Sequence, residues 1–403
     1  MNRKLQKLNF YFEFFEKDSI FPFYESVNNT TNGQISVTQN IEEIGRFKNK
    51  VSVVNFIPPY LDLKLNKQNT PFRSFQIKPR IGFIIDLSQF SNLDDYLKLQ
   101  LGARKRKTIL AGMKRLESCF DINYKIYYGE IDELEYAFLF SQFERMIKMR
   151  FEQSKQEHVG FKRWDLYKEN VYNLILKKRA SLFVIYDKKK PIVIDLNYHF
   201  DNILDSAMSS YDIDYSKFGL GNIALLKQLE WCFDNNFKRV DLRWGEVPYK
   251  RLWCNVIEEY KCDVIYNKNN PTDMLLAFAI SNIVNFKKIL IDRKILPLKL
   301  KFLSKGMEKN LPTETIEAGS SYRIEDLAEL PPKNVLRPID IRDKEYQFLR
   351  SPIYNYQYTH LEHSNDINIY SVNNENMSYI IEGKLKLKTL FCNLDQSISG
   401  NIL

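Results

Sequence analysis

Residues 204–253 read LDSAMSSYDIDYSKFGLGNIALLKQLEWCFDNNFKRVDLRWGEVPYKRLW. Leu204–Ser210 is a short segment bounded by polar turns and predicts a strand. Tyr211–Gly221 predicts a loop that ends in Gly219-Leu220-Gly221. Over Asn222–Phe233, Leu225, Leu226, Leu229, Cys232 and Phe233 recur at helical spacing. Asn235-Asn236 stops that helix, and Lys238–Leu242 predicts the next strand. Strand, glycine loop, helix and strand in this order aim backbone N–H groups and a positive helix end at an anion. Glycine suits such a loop because a Cβ would hold a phosphate off the backbone.

Beyond the helix, Asp241, Gly245, Pro248-Tyr249-Lys250 and Trp253 bring a carboxylate, a phenol and an amine to the exit of the second strand. Tyr211-Asp212, the loop Ser216-Lys217-Phe218-Gly219-Leu220-Gly221 and the Asp241…Gly245…Tyr249-Lys250…Trp253 run together resemble the GNAT (N-acetyltransferase) superfamily. The resemblance is to its CelD-like branch, related to Fem-type peptidyltransferases, and covers roughly Ile84 to Cys262. The family loop usually opens with Gln or Arg, where this chain has Ser216. The fold implied is α/β (α+β): a GNAT-like mixed, mostly antiparallel sheet flanked by helices, in some relatives with a degenerate second lobe of the same kind.

At 403 residues the chain is long enough for two or three domains, and 44% hydrophobic with 14% aromatic content excludes global disorder. A net charge of +9 points to an acidic or polyanionic partner without choosing among nucleic acid, phospholipid and a phosphorylated metabolite. Cys119, Cys232, Cys254, Cys262 and Cys392 are scattered, with no C-x-x-C pair, so neither a zinc site nor a disulfide framework is expected. A reducing, cytoplasmic interior fits. The N-terminus lacks an apolar run of signal-peptide length, and Met274–Phe286 is too short to span a bilayer.

The expected organisation is an α/β lobe over 1–83, a GNAT-like acyltransferase domain over 84–265, a basic amphipathic segment over 266–310, a linker over 311–335 and a small β-rich appendage over 336–403. Val51–Ile57, Phe75–Ile77 and Gly82–Leu87 predict strands; Ser91-Asn92-Leu93-Asp94 offers a cap to a helix running through Leu116. Ile131–Gln153 and Trp164–Lys177 carry helical periodicity, and Asp187–Pro191 predicts a hairpin between strands Leu182–Tyr186 and Ile192–Phe200. Arg104-Lys105-Arg106-Lys107 is either a solvated face or an anion grip, with Arg104 and Lys107 sharing a face of the helix. The lysine-studded stretch after Pro271 either packs on the domain or lies on an anionic membrane.

Acyl transfer to an amine requires a held thioester, a proton acceptor for the ammonium and a donor for the leaving thiolate. Ser216, Lys217, Phe218, Gly219, Leu220, Gly221 and Asn222 are the candidates for holding acyl-CoA, most simply acetyl-CoA, as co-substrate. Asp241, Asp195 and Glu246 are candidate bases, Asp195 because burial in an apolar strand raises a carboxyl pKa. Tyr249 is the candidate acid, and Arg104, Lys107, Lys250 and Trp253 the candidate acceptor contacts. The four histidines are too dispersed for a metal cluster, so no metal is expected. The resemblance implies an N-acyltransferase (EC 2.3.1 class) of the cell envelope. Its acceptor is the amine of an amino-sugar or related glycan precursor, and the enzyme is cytoplasmic or peripheral to the inner membrane face. Two alternatives stay open: a Fem-like transferase using aminoacyl-tRNA, with nucleic acid as partner, and a non-catalytic scaffold of the same fold.

Overall fold

The computed structural model describes residues 5–31, 33–35, 41–47, 50–67, 70–154, 163–292, 322–372, 378–384 and 386–392. In chain order it begins with β1 Leu5–Asn9, β2 Tyr24–Asn29, β3 Gly33–Ile35, β4 Val51–Ile57, β5 Leu61–Leu65 and β6 Phe72–Asp86. There follow α1 Leu93–Gln100, α2 Ala103–Cys119, β7 Ile122–Tyr127, α3 Glu133–Ser154, α4 Trp164–Leu176, β8 Ala180–Asp187, β9 Lys190–Phe200 and β10 Ile203–Tyr211. A 3-10 turn over Ile213–Phe218 leads to α5 Leu220–Asp234, β11 Arg239–Trp244, α6 Pro248–Trp253, β12 Val256–Asn267 and α7 Pro271–Asp292. The chain closes with β13 Tyr322–Asp326, β14 Leu336–Pro338, α8 Arg350–His360, β15 Asn368–Val372, β16 Ser378–Glu382 and β17 Leu387–Cys392.

Nine strands form one sheet in the order β1-β4-β12-β6-β11-β10-β9-β8-β7. Only β1–β4 and β10–β11 are parallel; the other neighbours are antiparallel. This is the mixed, mostly antiparallel sheet expected from the sequence. The hairpin falls at Lys188, whose φ of 56° makes the tight turn between β8 and β9. The parallel β10–β11 step is made through α5, the helical crossover such a step requires. Leu225, Leu226, Leu229 and Cys232 of α5 are buried against it, as their spacing predicts.

Both faces of the sheet are covered, which is why β9 is buried along nearly its whole length. On one face α3, α4 and the aromatic segment Phe10–Phe15 build the largest core. On the other, α1, α2 and α5 pack over Phe83, Leu204, Val240 and Leu242. The sheet runs without a break through β1, β4 and β6, so the first 83 residues share it, while β2, β3 and β5 form a separate three-stranded sheet.

Three expectations change in detail. Phe75–Ile77 and Gly82–Leu87 belong to one strand, the fifteen-residue β6. The helix from Ser91 to Leu116 is two helices: Asn92 caps α1 by accepting from Asp95 N–H, and the chain turns extended at Leu101-Gly102 before α2. Buried Leu101 and the Gln100 amide, which donates to the carbonyls of Leu252 and Cys254, pin that break. The C-terminal region has a five-stranded sheet, but also α8, whose alternating tyrosines conceal its helical character. Arg293 and Lys294, the lysines beyond them up to Lys305, residues 311–321 and His158 lie outside the described residues, while Tyr322–Asp326 of the expected linker is a strand, β13, paired with β17.

Candidate functional site

Two neighbouring strands at the centre of the sheet part company. β10 and β11 share three register pairs, Ile203–Asp205 with Arg239–Asp241, and no ladder beyond them. A bulge between Ser206 and Met208 keeps β10 on β9, and an irregularity between Asp241 and Trp244 redirects β11. The result is a cleft where two central strands would ordinarily be hydrogen-bonded, and Ser209 is exposed there.

Arg243 spans the mouth of this cleft. Its backbone is left-handed, with φ of 63°, a conformation that costs a non-glycine residue energy. Its Nε donates to Asp205 Oδ1 and Oδ2 at 3.0 and 3.1 Å, and its Nη1 to the Ala207 carbonyl at 3.3 Å. The cation is thus carried by β11 and bound to the bulged strand β10. Asp205 is fully buried and depends on it. Replacing Arg243 with Met should cost about 3–5 kcal/mol, because it strands a buried carboxylate; urea unfolding measures this.

On the α5 side of the sheet, Asp195 of β9 lies opposite Ser209 of β10 in the register, so their side chains share a face. Asp195 is 4% exposed, and its Oδ2 accepts from Gln228 Nε2 of α5 at 2.6 Å. Its Oδ1 has no partner. Burial pushes the Asp195 carboxyl up to about 7, with Ser209, Gln228 and the Arg150 charge holding the rise back. Tyr249 of α6 comes close enough for the Asp195 charge to act on it; burial first, then that charge, raise its phenol to about 12. Tyr249 is nevertheless 41% exposed, so its ring is open to solvent. The Arg150 guanidinium, whose charge acts on both Asp195 and Tyr249, sits 5.0 Å from the Tyr211 ring centre.

β10 leads from this cleft straight into the glycine loop. Gly219 has φ of 76° and gives its residue to both the end of the 3-10 turn and the start of α5. No side chain caps α5; the Asn222 N–H turns back onto the Gly219 carbonyl at 3.0 Å, which leaves the N–H groups of Leu220 and Gly221 as the open donors of the first turn. A Cβ built on Gly219 or Gly221 meets nothing within 4 Å. Ser216 and Lys217 beside them are exposed, and Leu220 is buried as the loop's anchor. Phe218 is buried and stacked edge-on against Tyr358 of α8, with ring centres 5.2 Å apart. Gly112 of α2 presses on the Phe218 carbonyl: a Cβ there would come within 2.7 Å of it. Asn222 accepts from the Trp253 indole at 3.0 Å, which ties α5 to α6.

The other predicted residues take different places. Asp241 does not face the cleft: it is fully buried on the opposite face of the sheet, inside β11 rather than at its exit. There it accepts from Tyr60 at 2.7 Å, from Tyr11 at 3.0 Å and from Tyr260. Period-two alternation explains the placement, because Val240 and Leu242 point to α5. Glu246 is exposed and paired with Arg251. Trp253 is fully buried, and Lys250 donates to the Trp244 carbonyl at 2.6 Å, so both brace the scaffold. Arg104 lines a hollow of about 500 Å³ at the start of α2, with Gly102, Ala103, Lys105 and Thr108; Lys107 is not part of that lining. Ser209, Gln228, Arg150 and Arg243 were not singled out from the sequence. Gln228 had a signal: it interrupts the apolar stripe of α5 yet is buried. Among the described residues no group of His, Cys, Asp and Glu is arranged to hold a metal, and no helix is long and apolar enough to cross a membrane.

Comparison with known proteins gives one match to a family: residues 103–251 match the acetyltransferase (GNAT) domain. No curated protein matches the chain in sequence. Among solved structures, FemX is similar at 12% identity and a TM-score of 0.40, over 59% of this chain and 77% of that one. The C-terminal domain of a putative lysylphosphatidylglycerol synthetase from Agrobacterium fabrum is similar at 10% identity and a TM-score of 0.38, over 60% and 75%. A tandem GNAT protein from the clavulanic acid biosynthesis pathway is similar at 9% identity and a TM-score of 0.29, over 55% and 65%.

Proposed function

We propose, on the premise that residues 103–251 are a GNAT-superfamily acetyltransferase domain, that the chain transfers an acyl group from acyl-CoA to an amine at the β10–β11 cleft. One observation carries this: the open glycine loop at the start of α5 continues from the strand that lines the cleft. Within Gly219–Asn222, the backbone at Leu220 and Gly221 suits a pyrophosphate, since nothing of the protein fills the space where a Cβ would stand on Gly219 or Gly221. Exposed Lys217 adds a cation beside it.

The donor supplies a thioester carbonyl to the cleft, which an amine attacks. Asp195 is the proton acceptor, reached from the cleft through the hydroxyl of exposed Ser209. A carboxyl with a pKa near 7 is half-ionised at neutral pH and strong enough as a base to matter. Tyr249, raised to about 12, keeps its proton at neutral pH and gives it to the departing sulfur. Tyr249→Phe should therefore lower kcat about 10²-fold and leave the donor's KM unchanged. A steady-state comparison that finds kcat intact removes the phenol from the reaction. The amino-sugar amine of an envelope glycan precursor is the acceptor class we favour, with the cationic hollow at Arg104 and Lys105 for an anionic portion of it.

Calorimetric titration with acetyl-CoA, alongside aminoacyl-tRNA as competitor, tests the reading. Saturable acetyl-CoA binding that tRNA does not displace supports it. Binding of aminoacyl-tRNA alone would replace it with peptidyl-type transfer on the same fold.

A further inference from the structure

α7 packs one face on the sheet, with Ala277 fully buried and Leu276, Ile280 and Val284 against Val51, Ile77 and Val264. Its outer face is also apolar. Met274, Leu275, Phe278, Ile283, Phe286 and Ile289 are between 43% and 64% exposed. At about 100° per residue they fall on one continuous arc, joined by exposed Ala279, Asn282 and Asn285. Among the described side chains, none that is charged interrupts that arc. Of the charged side chains described on α7, Asp273 is fully buried, Lys288 pairs with Glu259, and Lys287 is exposed at the rim. Single exposed apolar residues are ordinary on a protein surface, whereas a contiguous set of this size marks an interaction surface.

We propose that this outer face of α7 docks on the surface of an anionic lipid bilayer, inserting its apolar side chains among the headgroups. Charge selects the bilayer over a second copy of the chain. Beyond the helix the sequence carries Arg293, Lys294, Lys299, Lys301 and Lys305 with no Asp or Glu among residues 293–305, in a chain of net charge +9. A second copy of the chain would bring only more positive charge, while anionic headgroups neutralise the run. An aromatic and aliphatic face flanked by lysines, on a helix lying flat against its own domain, is the form an interfacial helix takes. The proposal stands whether or not the cleft transfers acyl groups.

Vesicle co-sedimentation of the full chain tests it, with phosphatidylcholine alone and with phosphatidylcholine mixed with phosphatidylglycerol. The wild type should bind the mixed vesicles and release at about 1 M salt, where the Debye length has shrunk to roughly 3 Å. Phe278→Ser/Phe286→Ser should weaken binding at least ~10-fold, since losing each buried ring costs about that factor or more. Lys287→Glu should weaken it less. Both variants lie on an exposed face, so unchanged melting temperatures keep the result interpretable. Equal binding to neutral vesicles, or undiminished binding of the double variant, overturns the proposal. A wild-type dimer that the double variant dissociates, with no vesicle binding, overturns it in favour of an interface between copies.

Discussion

Gly221→Val is expected to weaken acetyl-CoA binding at least ~10-fold in calorimetry while leaving the melting temperature close to that of the wild type. The two halves of this result have separate physical origins. Gly221 is exposed, lies within the first turn of α5, and has open space where the new side chain would project. Folding therefore meets no clash and no left-handed backbone at this position. A bound pyrophosphate, by contrast, would have to approach the same N–H groups through the branched side chain. A loss of about 1.4 kcal/mol in binding corresponds to the tenfold change. Gly219 is a poorer probe because its φ of 76° makes any side chain there strained, roughly 1–2 kcal/mol on its own. Gly219→Val should lose both stability and binding, Gly221→Val binding alone. Unchanged affinity in Gly221→Val would take the donor away from this loop.

The contrast between these glycines also marks how far the sequence could be read. Residues 204–253 disclose the strand, the loop, the helix and the next strand, because periodicity and glycine placement are local properties. The same stretch suggested that Asp241 stood at the exit of β11, when it lies within the strand. Which face a residue takes in a short apolar strand depends on neighbours far away. Tyr11 and Tyr60, at separations of 230 and 181 residues, are what close over Asp241. Asp195 was legible as a polar interruption of an apolar strand, but its partner Gln228 and the exposure of Ser209 follow from where β10 leaves β11. A bulge of one residue decides that, and Ser206-Ala207-Met208 carries no local mark of it. The α8 contact on the 3-10 turn, with Tyr354 and Tyr215 ring centres 4.5 Å apart, is likewise invisible to composition.

Asp195→Asn should remove most of the activity and make the protein more stable at alkaline pH. If Asp195 accepts the amine's proton, the variant loses about 10²–10⁴-fold in kcat/KM. In the wild type, kcat/KM should rise with pH to a plateau above about 7, following ionisation of the carboxyl. The residual activity of the Asn variant should lack that limb. Stability moves the other way. The folded carboxyl is raised to about 7 chiefly by burial, against about 3.9 unfolded. Below about pH 4 the carboxyl is protonated in both states, and its neutral form contributes fully to stability. As pH rises through 7 that contribution is lost, because the folded protein must hold a charge in a buried site. Asn keeps the shape and an oxygen for Gln228, and never ionises. The variant's stability should match the wild type near pH 4 and exceed it above pH 7 by something on the order of 2–4 kcal/mol. Thermal melts across that range, run beside the rate profile, separate the two roles. A carboxylate that merely supports the fold would lose stability on replacement, whereas one kept for its chemistry at the expense of the fold should give a more stable and less active protein. Lower stability at pH 8, or a rate profile with its acid limb intact, would assign the base to another group.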